Sequence, residues 1–234
     1  VYRTAAVLAL QAEPLYRPDD GHYQYKYWPA FAVVTAPFAL LPEEAGKDGT
    51  PKTVVTAQGP LDLVQSSVWL VFSIVRSQPD SEQRRMEIHH VGEALFDFNE
   101  IARRTLAQHW SARSLEEQRT FVRLFTNLLE RTYVTTIGNN RLATVTFQGE
   151  TIESSSARVQ SRLVTHRGAE IPLQYRLLER AGRWAVYDVV VDGVSQVASY
   201  RSQFNSILRT SSFDLFLDKL RIEARLTPAG GEAP

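Results

Sequence analysis

Two carboxylates are the side chains best suited to catalytic chemistry. Asp188 lies within the apolar run at residues 184–191, and Asp192 directly follows that run. A carboxylate on an apolar strand has a raised pKa and can serve as a general base. The structural alternative is that Asp188 accepts hydrogen bonds from neighbouring backbone or arginine, while Asp192 shapes a turn with Gly193. Because no second catalytic partner is identifiable, the structural alternative is favoured and no catalytic residue is predicted.

The histidines are the candidates for metal binding. They are His22, His89, His90, His109 and His166. None belongs to an HExxH motif or to another spacing typical of metal ligands, and the adjacent His89 and His90 are expected to point away from each other on a helix. We therefore expect surface or partly buried structural histidines, and we predict neither a metal nor another cofactor.

Motifs for nucleophilic catalysis and nucleotide binding are also missing from the sequence. The run Gly193-Val-Ser-Gln-Val only begins like a Gly-x-Ser-x-Gly nucleophile elbow. Ser195 fits better as a polar residue in the first turn of a helix. There is no Walker A or GxGxxG loop, and the absence of cysteine excludes a thiolate nucleophile and a disulfide framework.

Composition indicates an ordinary globular protein. Apolar residues make up 44% and charged residues 22% of the sequence, which is the balance of a folded protein. The length of 234 residues is enough for one domain with a good core and an appendage. Lys+Arg and Asp+Glu both number 26, so a basic surface for nucleic acid is not expected. The sequence shows no apolar run of about 20 residues and no recognisable signal peptide.

The first 50 residues differ in character from the rest. Prolines interrupt an aromatic and aliphatic stretch at 28–42 and exclude a long helix there. A polar, glycine-containing segment at 43–51 has the composition of a linker. The predicted organisation is a mostly irregular N-terminal extension at 1–50, a folded domain at 51–226 and a disordered tail at 227–234.

Helical periodicity begins at Pro60. Apolar residues then recur at the spacing of one helix face, at Leu61, Val64, Val68, Phe72 and Val75. A second helix is predicted at about 81–96. Capping-box spacing at 97–100 predicts a third helix that ends near Trp110, and the same spacing at 114–117 predicts a fourth.

Period-two alternation replaces the helical pattern after the fourth helix. Strands are predicted at 143–147, 159–163, 171–177 and 184–191, with hairpins at 166–168 and 180–183. Two further helices are predicted, one lined by Val194, Val197, Phe204 and Leu208 and the other by Phe213, Leu217 and Leu220. The sequence therefore predicts an α+β fold, in which a curved antiparallel sheet of about four strands is covered by helices.

The sheet and helices supply more inward apolar positions than one thin sheet needs. Several of these residues are long aromatics that end in a hydroxyl, namely Tyr133, Tyr175 and Tyr200. Such residues suit a pocket that is apolar inside and polar at its mouth. The residues alone leave an apolar cavity and an ordinary filled core equally open.

Several blocks of the sequence resemble the MlaC family of periplasmic phospholipid-binding proteins. They are Phe96-Asp-Phe98 with the helix through Leu106, Glu117-Gln-Arg119, Arg131-Thr-Tyr133 and, most specifically, Val191-Asp-Gly-Val-Ser195 and Tyr200-Arg-Ser-Gln-Phe204. In order and spacing they cover about residues 60–222. At Ala107 the chain departs from the family, which usually has a glycine there, and we expect this to alter a helix end but not the activity.

The resemblance implies a soluble, monomeric carrier and not an enzyme. It implies that phospholipid acyl chains lie in an apolar cavity between sheet and helices. The carrier would work in the periplasm between an outer-membrane lipoprotein complex and the inner-membrane MCE-domain ring of an ABC transporter, maintaining outer-membrane lipid asymmetry. By position, the residues expected to contact the acyl chains are Phe125, Tyr133, Val145, Phe147, Leu163, Tyr175, Val189, Val191, Tyr200 and Phe204.

Two further interpretations accompany this one. A small isomerase-like enzyme on a similar curved-sheet scaffold is the alternative function, and it requires a buried carboxylate or tyrosine with a perturbed pKa. Residues 1–46 resemble a short segment of polytopic polyprenyl-phosphate-dependent sugar transferases. The membrane body of those enzymes has no counterpart in this sequence, so no catalytic residue is transferred from them. We expect a fused remnant or a gene-calling artefact, and a real docking arm is the less favoured alternative.

Overall fold

A computed structural model of the protein describes residues 59–77, 82–139, 144–164 and 169–226. The extension at 1–50 and the tail at 227–234 therefore lie outside the described residues. Helices precede the sheet: α1 (Pro60–Ser77), α2 (Glu82–Leu95), α3 (Phe98–Leu106), a 3₁₀ turn (Ala107–His109) and α4 (Leu115–Asn139). The strands are β1 (Thr144–Glu153), β2 (Ser156–Val164), β3 (Glu170–Arg180), β4 (Arg183–Val191) and β5 (Val194–Ser195), followed by α5 (Gln196–Leu208) and α6 (Phe213–Leu226).

The sheet is an antiparallel meander in the order β1-β2-β3-β4-β5. The turn between β3 and β4 uses Ala181 and Gly182 at φ values of 52° and 75°, and the turn between β4 and β5 uses Asp192 and Gly193 at 47° and 79°. Two consecutive left-handed residues are the signature of the hairpin turns that match strand twist. The predicted hairpin at 180–183 and the predicted turn at Asp192 are therefore confirmed.

Strand β5 departs from the sequence prediction. Val194 was expected to line the buried face of a helix, but it pairs with Val191 in β5 and is 54% exposed. The reason is the tight turn at 192–193, which returns the chain antiparallel to β4 before α5 can begin. The helix starts only after Ser195, whose hydroxyl accepts a hydrogen bond from the backbone N–H of Ala198 at 3.1 Å.

Two predicted helix starts are confirmed by their caps. Asp97 precedes α3 and accepts a hydrogen bond from the backbone N–H of Glu100 at 2.9 Å. At α4, the backbone N–H of Ser114 donates to the Glu117 carboxylate at 2.7 Å, and that of Glu117 donates to the Ser114 hydroxyl at 3.2 Å. Helix α3 ends earlier than predicted, at Leu106, because the next residue leaves the helical region of backbone space.

The helices cover one face of the sheet, so the predicted α+β architecture is confirmed. Long-range hydrogen bonds join the layers: the Leu61 backbone N–H donates to the Glu150 carboxylate at 2.7 Å, and the Asp97 backbone N–H donates to the Val186 carbonyl at 2.9 Å. The core comprises buried residues from α1 to α6 and from β1 to β4. Among the described residues, no helix is both long and apolar enough to cross a membrane.

Candidate lipid-binding layer

The sheet residues that the sequence assigned to the acyl chains share one face. Strand pairing places Val145 opposite Leu163, Tyr175 opposite Val189, and Leu173 opposite Val191. Phe147 is the partly buried member of the assigned set, and the other members are buried. The set consists of Val145, Phe147, Leu163, Tyr175, Val189 and Val191. The geometry thus gives these six residues a common inner face, and their contact with lipid stays a prediction.

Helices α4, α5 and α6 contribute a cluster of buried rings to the same hydrophobic core as this inner face. The aromatic cluster consists of Phe121, Phe125, Tyr200, Phe204 and Phe216. Ring centroids are 5.0 Å apart for Phe125 and Tyr200, 5.2 Å for Phe125 and Phe204, and 5.0 Å for Phe204 and Phe216, all with edge-to-face geometry. Edge-to-face pairs of this kind are favourable beyond their buried area.

Three of the four helical residues assigned to the site lie in the aromatic cluster, namely Phe125, Tyr200 and Phe204. The fourth, Tyr133, belongs to the part of α4 whose side chains lie outside the described part of the chain. Phe216 was missed. Its spacing from Phe213 and Leu220 places it on the same helix face, so the helical period alone could have found it.

Tyr175 and Ser161 place two buried hydroxyl groups on the inner face of the sheet. Tyr175 is 0% exposed and Ser161 is 1% exposed, and neither hydroxyl oxygen has a hydrogen-bond partner among the described residues. We call them the hydroxyl pair. Burial raises the pKa of Tyr175, and the nearby Ser161 hydroxyl lowers that pKa in part without reaching hydrogen-bond geometry. The Tyr175 side chain is therefore a neutral phenol that can both donate and accept a hydrogen bond.

The candidate acid/base residue Asp188 is held by structural hydrogen bonds. Its carboxylate accepts from the Ser195 hydroxyl at 2.7 Å, from the Val197 backbone N–H at 3.0 Å and from the Arg176 guanidinium at 3.2 Å. These contacts tie β4 to the start of α5. Asp192 is exposed in the β4–β5 turn. The structural interpretation of both carboxylates is confirmed.

A second buried carboxylate, Glu100, forms an ion cluster that the sequence did not indicate. It is 2% exposed and accepts hydrogen bonds from Arg103 at 2.6 Å, Arg104 at 2.6 Å and Arg180 at 2.9 Å. Desolvation alone would raise its pKa, but the arginine hydrogen bonds outweigh burial and lower the pKa from 4.5 to about 2. The Glu100 cluster fastens α3 to the β3–β4 hairpin.

The expectation that His89 and His90 point away from each other is wrong. Their ring centroids are 5.6 Å apart, and each imidazole has a nitrogen near the Glu93 carboxylate. The reason is that Glu93 lies four residues after one histidine and three after the other, so it can reach both. His109 contacts the Asn205 side chain at 3.1 Å. His22 and His166 lie outside the described residues.

Comparison with known proteins gives three findings. The model of a family described as MlaC protein matches residues 65–222. The toluene tolerance protein Ttg2D of Pseudomonas putida is 25% identical, over 70% of this chain and 80% of its own length. A solved structure from Ralstonia solanacearum, of a phospholipid-binding protein in complex with a phospholipid, has a TM-score of 0.64 and 22% identity. This likeness covers 73% of this chain and 98% of that protein, and it shows a shared fold.

Proposed function

Because the chain belongs to the MlaC family, whose model spans residues 65–222, we propose that it is a carrier that binds phospholipid acyl chains between its sheet and its helices. The named relatives support this proposal: one is a toluene tolerance protein, and the other is a phospholipid-binding protein that shares the fold. A fold by itself does not assign a function, so the proposal depends on the chemistry of the layer described above.

The observation that carries the proposal is the hydroxyl pair inside the apolar layer. A buried hydroxyl without a hydrogen-bond partner costs roughly 1–3 kcal/mol, and an ordinary core avoids it. Tyr175 and Ser161 are neighbours on the inner face, close enough for the Ser161 hydroxyl to lower the Tyr175 pKa, and neither hydroxyl has a partner of good hydrogen-bond geometry among the described residues. A phospholipid offers both the apolar chains that match the surrounding residues and the ester oxygens that could accept hydrogen bonds from these hydroxyls.

An enclosed apolar layer is what transport of such a ligand requires. Two acyl chains of roughly 16 carbons each, at about 0.8 kcal/mol per CH₂, cost on the order of 25 kcal/mol to expose to water. Burial between sheet and helices offsets that cost. Transfer breaks no bond in the lipid, which agrees with Asp188 being fully engaged in structural hydrogen bonds. We therefore infer a carrier and not the isomerase-like enzyme.

The finer features are part of the same proposal. We infer that the MlaC-like domain, predicted at 51–226, works as a monomer in the periplasm. There it would exchange lipid between an outer-membrane lipoprotein complex and the MCE-domain ring of an inner-membrane ABC transporter. The residues proposed to contact the acyl chains are Val145, Phe147, Leu163, Tyr175, Val189 and Val191 from the sheet, with Phe125, Tyr133, Tyr200 and Phe204 from the helices.

Native mass spectrometry of the purified full chain tests this function, together with lipid extraction from the same sample. We expect a phospholipid to copurify at close to one per protein. A protein that remains free of lipid after incubation with phospholipid vesicles would refute the carrier function.

A pair of tryptophan substitutions on β2 localises the site. Leu163 is 0% exposed on the inner face, and Gln160 is exposed on the outer face. Leu163→Trp adds bulk where the acyl chains are proposed to lie, and we expect it to lose the lipid. Gln160→Trp introduces the same side chain on the other face and should retain it. Circular dichroism confirms that both variants are folded. Equal lipid occupancy in the two variants would contradict the assignment to this layer.

A further inference from the structure

We propose that His89, His90 and Glu93 on the surface of α2 form a binding site for a divalent transition-metal ion such as Zn²⁺. One ligand atom from each side chain can be chosen so that all three lie within 4.8 Å of one another. This site lies on the helix surface and does not depend on lipid binding. We call it the α2 site.

Two donor-to-donor distances within the α2 site are close to those of a tetrahedral zinc centre. The His89 Nε2 atom is 3.4 Å from Glu93 Oε1, and the His90 Nδ1 atom is 3.5 Å from Glu93 Oε2. Ligands at 2.0–2.1 Å from zinc in a tetrahedron are separated from each other by about 3.3 Å. Because the two imidazoles face different oxygens of Glu93, an ion bound by all three side chains requires side-chain rotations that shorten the remaining separations, which are at most 4.8 Å.

A carboxylate from α4 orients the first histidine. Glu130 Oε1 is 2.6 Å from His89 Nδ1, and the Glu130 side chain is 21% exposed. When Nδ1 donates its proton to Glu130, the lone pair of the imidazole is on Nε2, the nitrogen that faces Glu93. Histidines that bind metals usually have such a carboxylate on the second ring nitrogen, where it fixes the tautomer and raises ligand basicity. Glu130 is thus a positioning residue.

The donor set indicates which class of ion fits. Two imidazole nitrogens and a carboxylate favour Zn²⁺, Co²⁺, Ni²⁺ or Cu²⁺ over Mg²⁺ and Ca²⁺, which prefer oxygen ligands. The carboxylates of Glu93 and Glu130 supply negative charge beside the two imidazoles. The His90 and Glu93 side chains are 73% and 54% exposed, so an ion can enter directly from solvent and complete its coordination with water. Because α4 contributes Glu130, a bound ion also links α2 to α4.

Isothermal titration calorimetry of the tag-free full chain with Zn²⁺ tests the α2 site. We expect one ion per protein, and no binding of Mg²⁺ at the same concentrations. Glu93→Gln and His90→Gln should weaken Zn²⁺ binding at least tenfold. His109→Gln removes an imidazole outside the site and should leave the affinity unchanged. The absence of Zn²⁺ binding, or equal binding by Glu93→Gln and the parent chain, would overturn the proposal.

Glu130→Gln separates the positioning role from direct ligation. It keeps the three proposed ligands, and we expect the same stoichiometry with an affinity about 10–100-fold lower, as is typical when a metal-bound histidine loses its carboxylate partner. Thermal unfolding with and without Zn²⁺ gives a second measurement, because an ion that binds only the folded protein raises the melting temperature. A Glu130→Gln affinity equal to that of the parent would overturn the positioning role.

Discussion

Replacing Ala107 with glycine is expected to stabilise the protein. Ala107 follows the last residue of α3 and has φ 45° and ψ −114°, a conformation that is strained for any residue with a Cβ atom. The sequence resemblance indicated that the family usually has glycine here. The Ala107 side chain is exposed, so its removal gives up little packing. The backbone, and not the loss of the methyl group, therefore dominates the effect of Ala107→Gly.

The magnitude follows from two opposing terms. A non-glycine residue in a sparsely populated backbone region costs about 1–3 kcal/mol. Glycine makes the unfolded chain more flexible, which costs roughly 0.5–1 kcal/mol on folding. The expected net gain is therefore about 1 kcal/mol, which corresponds to a rise in melting temperature of about 2–4 °C for a domain of this size.

Urea unfolding followed by tryptophan fluorescence measures this gain. The matched control is Ala112→Gly, which makes the same replacement at another exposed alanine whose φ is not positive. The control should lose stability, because glycine adds flexibility there without relieving strain. If Ala107→Gly were destabilised as much as Ala112→Gly, the argument from backbone strain at the end of α3 would be refuted.

Two further predictions concern the buried carboxylates. Glu100→Gln should lower the free energy of unfolding by about 2–3 kcal/mol at pH 7. This magnitude is the lowering of the Glu100 pKa converted at about 1.4 kcal/mol per pKa unit, and then reduced because the arginine partners are half exposed to solvent. Because the folded pKa is depressed to about 2, this contribution is complete above pH 4.5 and is lost as the pH falls towards 2. Urea unfolding at pH 7, 5 and 3 should therefore show the stabilities of Glu100→Gln and the parent protein converging as the pH falls. A difference that stays constant with pH would contradict the role assigned to the arginine hydrogen bonds of Glu100. The control is Glu179→Gln, which replaces an exposed carboxylate. Asp188→Asn places an amide N–H₂ group, itself a donor, opposite the three groups that donate hydrogen bonds to the Asp188 carboxylate. We expect the free energy of unfolding to fall by about 3 kcal/mol in the same assay. A loss below about 1 kcal/mol would show that Asp188 does not anchor α5.

Local features of the fold could be predicted from the sequence because short-range physics determines them. The helix cap at 97–100 and the capping box at 114–117 involve residues three positions apart, and the Asp192 turn needs only two residues with positive φ. Alternation along β2 and β3 was enough to place Leu163 and Tyr175 on the inner face, since their register is continuous. These predictions required no knowledge of tertiary structure.

Contacts between distant parts of the chain could not be predicted in this way. Arg180 reaches Glu100 across 80 residues, and His89 reaches Glu130 across 41, so neither pair leaves a local pattern in the sequence. The hydroxyl of Tyr175 illustrates a further limit. Its position on the inner face followed from alternation, but its lack of a hydrogen-bond partner depends on what every neighbouring element presents to it.

The meander order of the sheet also bears on how the chain folds. Each strand pairs with the one that follows it in sequence, so the hairpins close over short connections at a small cost in chain entropy. Joining the helical layer to the sheet is different, because Leu61 must meet Glu150 and Asp97 must meet Val186. Folding rates fall as such long-range contacts dominate. We therefore expect the strands to assemble early. We expect the docking of α1 and α3 onto the sheet to limit the rate at which the native state forms.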